Sequence, residues 1–172
     1  MGESLSVLED AGLAFDLVGV LPRHLELVPE LVERHPRLRI VIDHLAKPPI
    51  GRDSREPWWT LIAEAAAFPT VYGKLSGLYS ATDDVAAWTP DLIGPFVDRA
   101  VEVFGAERLM YGGDWPISIM AGGYERVWAG LTEVFARYGA AEREAILGST
   151  AREFYRLDER RLAAAQERGG GR

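Results

Sequence analysis

The sequence contains no cysteine and only two lysines, Lys47 and Lys74; the rest of its 19 basic residues are arginine. The first absence excludes a disulfide framework, a thiolate metal site and a cysteine nucleophile, and it allows a reducing compartment. No apolar run approaches the length that crosses a bilayer, and no basic segment followed by an apolar one opens the chain, so a cytoplasmic protein without a membrane partner is expected. Basic clusters are missing as well. With 26 acidic residues the formal charge is −7, which argues against nucleic acid as a partner and for a small molecule. Neither Gly112-Gly113 nor Gly122-Gly123 has the spacing or the Lys-Ser/Thr of a phosphate-cradling loop, and no Gly-x-Ser-x-Gly elbow is present.

What is there suits one globular domain: 172 residues, 48% of them hydrophobic, are enough to bury a core. Four apolar runs, at residues 13–18, 38–42, 71–75 and 109–111, have strand character. Between them lie segments of helical spacing. One carries Leu27, Val28, Leu31 and Val32 and is ended by Pro36; a second covers 57–68. A third has Ile93, Phe96, Val97, Ala100 and Phe104 on one stripe, with Gly105 as its stop, and a fourth spans 124–138. A last helix runs from Ala145 to Leu157, and the first residues read as the end of an amphipathic helix. Strand and helix alternate at roughly thirty residues, the size of a βαβ unit, which predicts an α/β fold with a parallel sheet. Residues 1–157 form the expected domain. Residues 158–172, charged and then glycine-rich, are expected to be a disordered tail.

In a parallel sheet the strand ends open onto the ligand crevice. Asp114 follows the 109–111 run behind Gly112-Gly113, and His44 follows the 38–42 run, so both are expected to face one crevice. Either could also be structural, as a cap or a buried hydrogen-bonding group; two such groups at equivalent ends favour chemistry. Lys74 interrupts a run that should be buried. It is expected either to pair with a carboxylate or to line a polar cavity, and Asp16 invites the same two readings. Trp115, beside Asp114, is expected to line the site; His24 is close enough to a loop to approach it. His35, at a helix end before Pro36, is expected to serve the helix dipole or solvent.

Six motifs occur in one order: Asp43-His44-Leu45-Ala46-Lys47-Pro48, Lys74-Leu75-Ser76-Gly77-Leu78, Phe104-Gly105, the stretch from Arg108 through Gly112-Gly113-Asp114-Trp115-Pro116 to Ile117, Tyr124-Glu125-Arg126, and the stretch from Ile146 through Gly148-Ser149-Thr150 to Leu157. Together, over residues 13–157, they resemble the amidohydrolase-related TIM-barrel hydrolases, in particular the sugar-acid lactonases of the L-fuconolactonase and L-rhamnonolactonase type. The resemblance implies that Asp114 is the general base on a hydrolytic water and that His44 polarises the substrate carbonyl. It also implies that both can ligate a divalent metal, zinc or manganese, which some members dispense with. Lys74, Trp115 and Asp16 are then the expected substrate contacts. Two departures stand out: Gly113 replaces a usual serine, and Ala81 stands where many relatives carry glutamate. The His-x-His pair of the family's first strand does not occur, and four strands are present where a closed barrel has eight in roughly 250 residues. The implied fold is therefore the C-terminal half of a (β/α)8 barrel, four parallel strand-helix units plus C-terminal helices, completed by an N-terminal half or by a second copy. The resemblance leaves two other outcomes open, a non-catalytic half-barrel for binding or assembly and a decarboxylase of the same superfamily.

Overall fold

Each of the four apolar runs forms a strand in the computed structural model, which describes residues 2–157; the tail expected at 158–172 lies outside the described residues. Helix α1 (Gly2–Asp10) leads into β1 (Ala14–Val18), followed by α2 (Val28–Arg34) and β2 (Arg39–Asp43). Then come α3 (Trp58–Ala66), β3 (Val71–Leu75), α4 (Pro90–Phe104), β4 (Leu109–Tyr111) and α5 (Tyr124–Phe135). After α6 (Ala140–Glu144), which lies before the expected range, the helix expected at 145–157 continues as a wider π turn at Ala145–Ser149 followed by α7 (Thr150–Phe154). The strands lie in the order β1-β2-β3-β4, every neighbouring pair parallel, as four successive βα units require.

Local sequence sets the helix limits. In α4, Thr89 accepts from the Leu92 amide, Pro90 fills the first turn where an N–H has no partner, and Gly105 stops the helix. Its stripe of Ile93, Phe96, Val97, Ala100 and Phe104 is buried. Arg108, which opens the last strand's motif, ties the bases of neighbouring units together. Its guanidinium donates to the carbonyls of Phe104 (3.0 Å), Ala66 (2.8 Å), Phe68 (3.0 Å) and Val71 (3.2 Å).

The period of two divides each strand between two faces. One face, with Phe15, Leu17, Ile40, Ile42, Val71, Leu75, Leu109 and Tyr111, packs in the main core beneath the helices. The opposite face carries Ala14, Asp16, Val41, Asp43, Tyr72, Lys74 and Met110. At its N-terminal end Val41 and Met110 form a second, smaller core with Phe154, flanked by Tyr72 and Tyr155. Phe154 is 1% exposed and its ring centroid lies 4.7 Å from that of Tyr72. Burial of such a ring contributes about 2–3 kcal/mol. Arg39 fastens it, donating to the Phe154 carbonyl and, at 2.7 Å, to that of Gly12.

Candidate active site

The C-terminal end of the sheet gathers the polar groups. Beyond β2 the chain makes a left-handed turn in which His44, Leu45, Ala46 and Lys47 have φ of 54°, 48°, 56° and 53°. For residues other than glycine this conformation costs about 1–2 kcal/mol each. The cost is offset by burial of Leu45 and Ala46, both fully enclosed, and by Trp58 Nε1, which donates to the Leu45 carbonyl at 2.6 Å. The turn presents the His44 ring to β3's end, where Nδ1 lies 2.8 Å from the hydroxyl of the buried Ser76. That bond orients the ring, leaving Nε2 3.8 Å from Asp114 Oδ1.

Asp114, beyond β4, also has a positive φ of 48°. The hydroxyl of the fully buried Tyr79 donates to its Oδ2 at 3.1 Å. Burial, and then the charge and hydrogen bond of Asp114, push the Tyr79 hydroxyl above its ordinary pKa, so it remains a donor through the physiological range. Gly77 lies between the two side chains at φ 58°. A Cβ there would stand 2.5 Å from Asp114 Oδ2 and 2.7 Å from His44 Nδ1, so both the backbone and the space demand glycine.

The His44 and Asp114 side chains keep 21% and 15% exposure, enough for water to reach them. A gap of 3.8 Å is too long for a direct hydrogen bond but admits one oxygen atom that touches both groups. The same gap suits a metal ion, whose bonds to imidazole nitrogen and carboxylate oxygen are about 2.0–2.2 Å. His44 and Asp114 would supply two ligands. No group of three or more His, Cys, Asp or Glu side chains able to hold an ion occurs among the described residues, whereas a catalytic zinc site takes three protein ligands.

The other expected site residues are placed differently. Lys74 bridges two carboxylates, Asp16 Oδ2 at 2.8 Å and Asp43 Oδ1 at 2.6 Å, and the Tyr155 hydroxyl donates to Asp16 at 2.8 Å. Burial alone would lower the Lys74 pKa, but its hydrogen bonds to Asp16, Asp43 and Tyr155 outweigh that and raise it. The geometry thus matches the pairing reading of Lys74 and Asp16. Trp115 is 72% exposed. His24 holds the turn after β1, its Nδ1 accepting from the Val20 amide at 3.2 Å. His35 sits at the C-cap of α2, as the expected helix-end position requires, but it departs from the expectation of a solvent role. It is 5% exposed because α1 packs over it, and Glu9 stands 3.8 Å from its Nδ1.

Ser76, Tyr79, Asp43 and Tyr155 were not singled out by the sequence. For two of them a signal existed: Ser76 follows Lys74 by two, and Asp43 follows Val41 by two, which puts each on the polar face.

The protein-family model described as amidohydrolase matches residues 3–157. An L-fucono-1,5-lactonase of Burkholderia ambifaria is 43% identical over 152 residues, which are 85% of this chain and 51% of that protein. An L-rhamnono-gamma-lactonase of Scheffersomyces stipitis is 29% identical over 138 residues, 70% of this chain and 41% of the other. Among solved structures, an amidohydrolase from Burkholderia multivorans with bound zinc superposes with a TM-score of 0.84 at 32% identity, covering 91% of this chain and 57% of that one. The chain spans about half the length of the relatives it matches.

Proposed function

The chain belongs to the amidohydrolase family, and from that premise we propose that it carries the C-terminal half of the active site of a hydrolase that opens a sugar-acid lactone. The observation behind this reading is the pairing of His44 with Asp114 across 3.8 Å at two parallel strand ends, each held by its own hydroxyl, Ser76 or Tyr79.

The reaction uses the gap between them. A water in that gap gives its proton to an Asp114 carboxylate oxygen as its own oxygen attacks the lactone carbonyl carbon. The His44 Nε2 edge faces the carbonyl oxygen and stabilises the charge that develops there; Ser76 fixes the ring so that little reorganisation is needed. The tetrahedral centre collapses, the ring C–O bond breaks, and the departing alkoxide takes the proton back from Asp114. The open-chain acid is left and Asp114 is ready again. A divalent metal, zinc or manganese, would be held by His44 and Asp114 with further ligands from the rest of the barrel, and when bound it would supply Lewis-acid charge at the carbonyl. Lys74, by bridging Asp16 and Asp43, keeps the polar face beneath this site compact. Trp115 is proposed to cover the substrate once the remaining strands are in place.

A pH-indicator assay of acid release from a panel of aldonolactones, with and without zinc or manganese, tests this. The chain is assayed alone and mixed with the N-terminal half of the Burkholderia ambifaria relative. Hydrolysis in either arm that falls at least about 100-fold in Asp114→Asn supports the reading. Near-wild-type turnover in Asp114→Asn removes the base assignment. Silence in both arms overturns the hydrolase and leaves a binding or assembly half.

A further inference from the structure

The loops that follow β1, β2 and β3 enclose a cavity of about 240 Å3 on the same side of the sheet as His44 and Asp114. Its walls are about equally polar and apolar, with Leu21, Pro48 and Ala81 among the apolar residues, and most of its polar lining is already committed. Arg52 pairs with Asp83 at 3.0 Å, Ser80 donates to the Gly77 carbonyl at 2.6 Å, and Thr82 donates to that of Tyr79 at 2.7 Å. Lys47 is the exception. It is half-buried, and among the described residues its ammonium meets no hydrogen-bond or ion-pair partner.

Lys47 stands at the end of a turn already held in a left-handed conformation, its positive charge without a counter-charge from the described residues. The turn fixes two side chains at once. His44 at its start faces Asp114, and Lys47 at its end lines the cavity. The opposite wall, at 80–82, continues directly from Tyr79, the partner of Asp114. The cavity is therefore linked to the candidate site through two chain segments. Its volume lies just below the range of about 300–1,000 Å3 usual for drug-sized ligands, which fits one monosaccharide unit.

We propose that this cavity is a carboxylate subsite that binds the open-chain sugar acid, with Lys47 as the counter-ion of its carboxylate. The sugar-acid identity rests on the lactonase reading, since opening a neutral aldonolactone creates one negative charge; the carboxylate preference rests on Lys47 alone. Ala81 matters for the same reason: its methyl leaves the facing wall uncharged, so the anion must come from the ligand. The subsite makes the enzyme sensitive to its own product.

The test is a 15N-resolved NMR titration of the full chain with L-fuconate, with the matching neutral alditol, and with acetate. L-fuconate is expected to shift amides at 20–22, 47–52 and 80–82, and the alditol to bind at least tenfold more weakly. Lys47→Met and Ala81→Glu are each expected to weaken L-fuconate binding at least tenfold, the second by placing a carboxylate in the cavity. Both variants should keep the wild-type spectrum elsewhere, which separates lost binding from lost folding. Equal binding of acid and alditol, unchanged binding in Lys47→Met, or shifts confined to other segments would overturn the proposal. Acetate binding that depends on Lys47, beside rejection of L-fuconate, would overturn the sugar-acid assignment and with it weaken the lactonase reading. Silence with both anions, in a preparation that hydrolyses lactones, would overturn the subsite and leave the catalytic reading intact.

Discussion

Gly77 is the residue on which the site's geometry converges, because a single methyl there would strike the Asp114 carboxylate and the His44 ring together. Displacing either by an ångström costs about 100-fold in rate. Gly77→Ala is accordingly expected to lose at least about 100-fold in lactone hydrolysis while lowering stability by about 1–2 kcal/mol, measured by initial rates beside urea denaturation. A fully active Gly77→Ala would mean that His44 and Asp114 do not act as a pair. Lys74 makes a second prediction. Replacing it with Met strands Asp16 and Asp43 as facing carboxylates, a loss of about 2–3 kcal/mol near neutral pH. Because its pKa is raised in the folded chain, the stabilisation it provides is complete below the ordinary lysine value of 10.5 and fades as the pH climbs past it. The stability gap between wild type and Lys74→Met should thus stay level from about pH 6 to 9 and narrow above that range. A gap that widened instead would show that Lys74 is not paired. His44 and Asp114 were legible because each stood where an apolar run ended. Asp43 was not, since the strand expected at 38–42 is Arg39–Asp43; that shift of one residue brings Asp43 onto the polar face. Tyr79 left no trace in the pattern, because its link to Asp114 depends on the course of a loop.

Strands and helices were readable from apolar spacing and stop signals, as Gly105 after α4 shows. The last helical segment was readable as a helix but not in its role. Apolar residues at helical spacing look alike whether they cover the helices' side of a sheet or, as Phe154 does, the other side. Nor does spacing reveal the π turn at Ala145–Ser149, which changes the angular position of everything after it. Phe154→Ala should cost about 3–4 kcal/mol, most of it from the cavity left between Val41 and Met110. Calorimetry would then show a melting temperature lower by about 6–16 °C. A change within a degree or two would place Phe154 outside the core that the structure assigns to it. The left-handed turn at 44–47 lay beyond sequence reasoning too. None of its four residues favours that conformation, which is imposed by the burial of Leu45 and Ala46 and by Trp58 from the next unit.

At the scale of the molecule, β1 and β4 are the two edges of the sheet, each paired on one side only among the described residues. Apolar side chains stand exposed near both: Val18 (59%), Val20 and Leu21 by the first, and Trp115, Ile119 (64%) and Met120 by the second. Open edges with apolar surroundings seek partners. Sedimentation velocity at tens of micromolar is expected to show species larger than the 19.0 kDa monomer, and Val18→Lys with Ile119→Lys is expected to restore the monomer. A wild-type monomer under those conditions would show that the edges are already protected. One long-range link bears on how such a chain is made. The Tyr155 hydroxyl binds Asp16 across 139 positions, and Phe154 supplies the cover for residues of β2 and β4. During synthesis on the ribosome the first three strands therefore emerge and wait, with Asp16, Val41 and Lys74 uncovered, until the segment around 154 has cleared the exit tunnel. This half of the barrel is completed late, and a nascent chain arrested before residue 150 should be the species that chaperones hold.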